Sequence, residues 1–160
     1  MFSFLRMSDA SAIALHTVRV LALAPSSSVT NQDVASLLGV SVHHLAKVHQ
    51  RLVHAGLLVG VRGPAGGFRL ARDPSTITLM EVVEAVEGTF EPHQCLLGRP
   101  KCATSPCALG QMSDAVNSLV RGFLVNTTVD RLASDDSLAI DGPTGASSHE
   151  KDQHDVLLSV

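Results

Sequence analysis

The 160-residue sequence predicts a mainly α-helical fold with one small β-hairpin. Three observations predict it. Apolar residues recur at helical spacing in successive stretches, and 45% of the chain is hydrophobic, enough for a core. Ser, Thr, Gly and Pro punctuate those stretches where helices start and stop. Two short apolar runs, 57–61 and 68–71, flank a turn-rich tip, which is the mark of a hairpin.

Ser8 to Ala24 reads as the first helix, stopped by Pro25. Thr30 begins the second, with Asp33 three residues on as a capping-box partner. Its apolar stripe is Val34, Ala35, Leu37 and Leu38, and Gly39 suits the turn that follows. Ser41 caps the third helix, whose stripe is Leu45, Val48, Leu52 and Val53 and which Gly56 closes. The hairpin comes next, its tip running Arg62-Gly63-Pro64-Ala65-Gly66-Gly67. Thr78 caps a further helix with Glu81 at the capping-box position, and Gly88 stops it. Ser105-Pro106 reads as cap and first-turn proline of a last long helix to about Val125, with a short helical turn over 126–133. From Ser134 onward the chain is rich in Ser, Asp and Gly with little to bury, which predicts disorder.

Helix, glycine turn, helix and hairpin together make a winged helix-turn-helix. In that motif the second helix enters the major groove with its N-terminal residues against base edges. This places Ser41, His43, His44 and Lys47 near DNA, with Arg51 one turn further on toward phosphate. Arg62 on the wing can enter a groove or grip the backbone, and Gly66 and Gly67 permit a tight tip that approaches phosphates. The charge distribution agrees. Residues 1–72 hold seven Lys/Arg against Asp9 and Asp33, a net +5, whereas 73–160 carry −8. With no Trp or Tyr, stacking on single-stranded nucleic acid is not expected.

Arg6, an apolar run and Ala22-Leu23-Ala24 imitate a secretory signal, but Asp9, His16 and Arg19 break the run. No stretch reaches the ~18 apolar residues of a membrane span. A soluble cytoplasmic protein is expected, in which thiols stay reduced.

The three cysteines, Cys95, Cys102 and Cys107, fall in one loop between two helical patterns. The odd count argues against a closed disulfide framework. The spacing C-x6-C-x4-C is wider than that of most zinc sites and suits a larger object such as an iron–sulfur cluster. Such a cluster normally takes four protein ligands. The fourth would be His93, close in sequence, or His16, supplied by a partner subunit. A metal-free thiol switch is the other reading. The last helix adds an apolar set, Leu109, Met112, Val116, Leu119, Val120, Phe123 and Leu124, larger than one small domain buries, which points to a partner helix and a homodimer.

Over about 12–133 the sequence resembles the Rrf family of bacterial winged-helix regulators, of the iron–sulfur biogenesis repressor and nitric-oxide-sensing types. The resemblance rests on Gly39-Val40-Ser41 with Leu45, on Ala55-Gly56-Leu57, on the 61–68 wing run, on 81–88 and on the cysteine loop. It implies a homodimer held by the long helix and a [2Fe-2S] or [4Fe-4S] centre on Cys95, Cys102 and Cys107. It matches Ser41, His43 and Lys47 to recognition-helix positions, Arg62 to a wing arginine, and His16 to a ligand used in a redox-sensing branch. The sequence also departs from the family. Cys102 is shifted by one, a ligand His of one branch is Gly110 here, a ligand acid of another is Ala12 (with Asp9 nearby), and a base-discriminating acid is Ala46.

The sequence thus divides into a winged helix-turn-helix (8–88), a cysteine loop (89–107), a dimerisation helix region (106–133) and a tail (134–160). The expected function is a DNA-binding transcription regulator, a repressor in mode, that binds a palindromic double-stranded operator and senses redox, iron–sulfur or nitric-oxide status. Two alternatives are a cluster-free regulator answering a small molecule or thiol oxidation, and a protein-interaction adaptor. No catalytic constellation is present, so an enzyme is not expected.

Overall fold

A computed structural model describes residues 7–63, 66–91 and 107–134. Helix α1 (Asp9–Leu23) starts where Ser8 Oγ accepts the Ser11 backbone N–H at 3.1 Å. Its inner face is Ile13, Ala14, Thr17, Val18 and Leu21. Arg19 is buried as well, and its Nε donates to the Leu132 carbonyl at 3.3 Å.

The capping box of α2 (Asn31–Leu38) forms as expected: the Asp33 N–H donates to Thr30 Oγ1 and the Thr30 N–H donates to Asp33, both at 3.1 Å. Gly39 takes the left-handed turn at φ 65°, which costs a glycine nothing. Helix α3 (Val42–His54) follows. Ser41 holds its N-cap position but makes no side-chain cap bond, contrary to expectation. Leu37 and Val53, assigned above to apolar stripes, are 36% and 39% exposed. Each sits at the rim of its stripe, where one helical face is too narrow to cover it.

Strands β1 (Leu58–Val61) and β2 (Gly67–Leu70) pair antiparallel, with Leu58 opposite Leu70 and Val61 opposite Gly67. Val29 extends the ribbon by exchanging two backbone bonds with Phe68, at 3.0 and 2.9 Å. This explains the glycines differently from the sequence reading. A Cβ on Gly67 would lie 2.5 Å from the Val29 carbonyl oxygen, and one on Gly66 2.7 Å from that of Val61. Both contacts are within the chain, so the protein's own backbone demands glycine there.

A 3₁₀ turn (Pro74–Thr76) leads to α4 (Leu79–Glu87), whose Thr78–Glu81 capping box also forms. Gly88 ends α4 at φ 89°. Helix α5 (Ala108–Asn126) starts from Cys107, later than the expected Ser105-Pro106 start; those two residues lie outside the described ones. Helix α6 (Val129–Ser134) closes the fold. Its entry is stitched to that of α4: Leu79 N–H donates to Thr127 and Val129 N–H to Ile77, both at 2.9 Å. One core results, with Val18, Leu45, Leu52, Leu57, Ile77, Leu79 and Val129 fully buried. No helix among the described residues is long and apolar enough to cross a membrane.

Candidate nucleic-acid interface

Packing decides which face of α3 is free. Leu45, Val48, His49 and Leu52 point into the core. The opposite stripe, His43, Lys47, Gln50 and His54, is exposed. Those residues stand four, three and four apart, so they lie on one helical line. His43, Lys47 and Gln50 line a groove of about 520 Å³ toward the wing, floored by Phe68 and Asn31. The Asn31 Oδ1 there is buried without a hydrogen-bond partner.

Ser41 and His44 turn the other way. They line a cleft of about 730 Å³ between the start of α1 and the helix-turn-helix elbow, and His16 and Asp9 line it too. The structure therefore brings His16 and His44 together, but Cys107 does not line this cleft. Arg62 is exposed beyond β1. Arg69, on β2 opposite Val59, is exposed on the outer face of the wing. The ion pair among the described residues is Arg72–Glu81 at 2.8 Å, so Lys47, Arg62 and Arg69 have no paired carboxylate among those residues.

Arg51 stands apart. Its Nη1 donates to the Val86 carbonyl at 2.6 Å, at the end of α4. The sequence reading aimed it at phosphate; the fold gives it an internal partner.

Gln50, Arg69 and His49 were passed over in the sequence reading. Counting by three and four from His43 reaches Gln50, and alternation on β2 reaches Arg69, so both signals were present. His49 carried no such signal. It is 1% exposed, Nε2 lies 3.4 Å from Thr17 Oγ1, and its ring meets Phe68 edge-on at 4.8 Å. Burial pushes its pKa down to about 4.

Of the cysteine site, only Cys107 is described: it is half-buried at the N-cap of α5. Cys95, Cys102 and His93 lie outside the described residues. Among the described residues no three His, Cys, Asp or Glu side chains gather into a metal site.

A recognition helix with a free polar stripe, beside a basic wing, defines a winged helix-turn-helix DNA-binding regulator. The Rrf2 family model, described as an iron-dependent transcriptional regulator, matches residues 7–135, and the chain belongs to that family. It is 31% identical over 127 residues to the HTH-type transcriptional regulator IscR of Vibrio vulnificus, covering 79% of this chain and 71% of that one. It is also 31% identical over 125 residues to an Aquifex aeolicus protein assigned as an HTH-type transcriptional regulator, covering 76% and 87%. The fold is similar to that of CymR, the global cysteine regulator of B. subtilis, with a TM-score of 0.67 and 23% identity over 82% of this chain and 98% of that one. The family is one of transcription regulators, not enzymes.

Proposed function

We propose that this chain is a cytoplasmic, homodimeric repressor that reads a palindromic operator and answers to iron–sulfur, redox or nitric-oxide status. The observation that carries the DNA-binding part is the exposed polar stripe of α3 beside the wing. The sensing part rests on the sequence, in which three cysteines fall between α4 and α5, with Cys107 at the start of α5. Helix α5 itself leaves Leu109, Leu119 and Phe123 57%, 75% and 60% exposed, an apolar face suited to a second copy.

In this reading Ser41, His43, His44 and Lys47 meet DNA from α3, while Arg62 and the Gly66-Gly67 tip meet it from the wing. Two-fold symmetry of the dimer sets two recognition helices against two half-sites. Cys95, Cys102 and Cys107 would hold an iron–sulfur cluster, with His16 of a second copy as the fourth ligand. Three thiolates are a donor set such a cluster accepts. The cluster would supply a centre that oxidants and nitric oxide alter. The chain's own part is to convert a change at the end of α4 and the start of α5 into a change in α3.

Anaerobic purification with iron and sulfide analysis and a visible spectrum tests the sensing arm. Iron and acid-labile sulfide in the wild type, lost on replacing any one cysteine by Ala, are expected. Wild type that takes up no iron on anaerobic reconstitution removes the cluster. The second reading, a cluster-free regulator of the same fold responding to thiol oxidation or a small molecule, then stands. It is favoured by the likeness in fold to the CymR proteins of B. subtilis and Staphylococcus aureus, the latter described in an oxidised form.

A further inference from the structure

The last turn of α4 is a junction of three elements. From α3, Arg51 Nη1 donates to the Val86 carbonyl at 2.6 Å. From α1, the hydroxyls of Ser8 and Ser11 both donate to Glu87 Oε1, that of Ser11 at 2.8 Å. From the segment just beyond the helix, the Phe90 N–H donates to Glu84 Oε1 at 3.0 Å.

Each bond answers a local need. The last carbonyls of a helix have no partner within it, and a cation there also meets the negative end of the helix dipole. Arg51 supplies both the donor and the charge. Glu87 is held below the usual carboxylate range by the Ser8 and Ser11 hydrogen bonds, with the Arg51 charge adding to them. Arg51 lies one helical turn beyond Lys47 and next to Gln50, on the helix that carries the exposed polar stripe.

We propose that Arg51 is a positioning residue: it pins the recognition helix to the end of α4, and Glu87 ties that same end to α1, so the junction sets the angle at which α3 meets DNA. The inference rests on the DNA-binding reading and gives it a mechanical part. A displacement just beyond Gly88 then has a polar route to the readers on α3, through Arg51, beside the apolar packing of the two helices in the shared core. The junction also gives Nη1 of Arg51 an internal partner, Val86, in place of a phosphate, while Nε and Nη2 keep their donors.

The test uses the full chain and a duplex that the wild type enriches from a random-sequence pool. Affinities for that duplex and for a scrambled one are titrated across salt concentrations, with thermal unfolding as the control for folding. Arg51→Ala is expected to lower the ratio of specific to scrambled affinity about three- to tenfold, the size typical of coupling residues that touch no ligand. The slope of log affinity against log salt should stay as in the wild type. A phosphate contact predicts the opposite, both affinities falling together and the slope flattening by about 0.9; that result overturns the proposal. Glu87 gives an independent sign. Bulk electrostatics predicts that removing a carboxylate tightens binding to DNA. The junction predicts that Glu87→Ala weakens specific binding, while Glu87→Gln, which keeps an acceptor for the two serines, stays close to wild type. Tighter binding by folded Glu87→Ala overturns the proposal with the DNA-binding reading intact. A wild-type chain that enriches no sequence overturns that reading, and the proposal with it.

Discussion

Two neighbours on α3, His49 and Gln50, have opposite fates. His49 is the buried one, and its neutral form is what the core accepts. Its pKa falls from 6.5 to about 4 because burial disfavours the imidazolium. The unfolded chain therefore binds the extra proton first as pH drops. Stability is unaffected by this group above pH 6.5 and is lost as pH falls from there toward 4. The expected loss between pH 7 and pH 5 is about 2 kcal/mol. Urea unfolding of wild type and His49→Gln at both pH values checks it: the variant should lack that portion of the pH dependence. Gln50 is the exposed one, in line with His43 and Lys47. A glutamine amide can pair bidentately with adenine in the major groove. Gln50→Ala should relax preference at one base position, by about 1–3 kcal/mol against the favoured base. Selection from a random pool reads this directly, and an unchanged motif would remove Gln50 from the readers.

Among the elements, α5 is the one least satisfied by its own chain. Of its residues only Leu124 is buried, while Leu119 and Phe123 stand well out. A second copy of α5 would cover them, as the apolar pattern of the helix already indicated. Leu119→Glu should weaken dimerisation by at least about tenfold, since a carboxylate buried without a partner costs more than 1.4 kcal/mol. Sedimentation at micromolar concentration measures it. Truncation after Ala133 should leave the dimer unchanged, because the removed stretch of sequence has little to bury. The short elements were legible for local reasons. Thr30–Asp33 and Thr78–Glu81 are capping boxes whose partners are three residues apart, so no distant contact was needed to find them. The start of α5 was harder. Ser105-Pro106 is a good local signal, yet the helix begins from Cys107, and helix ends shift easily by a turn because end residues gain so little.

For the whole molecule, the +5 balance over residues 1–72 against −8 beyond gives a molecule with one basic region. Affinity for duplex DNA should fall steeply with salt, and Lys47→Ala should flatten the slope by about 0.9, the share of one phosphate contact. Gel-shift titration over a salt series measures both; a slope unchanged by the substitution would place Lys47 off the backbone. The fold class, the order of elements, the hairpin and the family were all readable in the sequence, because each rests on spacings of a few residues or on a run such as Val61-Arg62-Gly63 that stays contiguous. What only the tertiary structure decided depends on residues far apart in the chain. It assigned Gly67 to the approach of Val29, His49 to a core shared with Thr17 and Phe68, and Arg51 to a carbonyl thirty-five positions away. Periodicity tells which residues share a face of a helix, but only packing tells what that face meets.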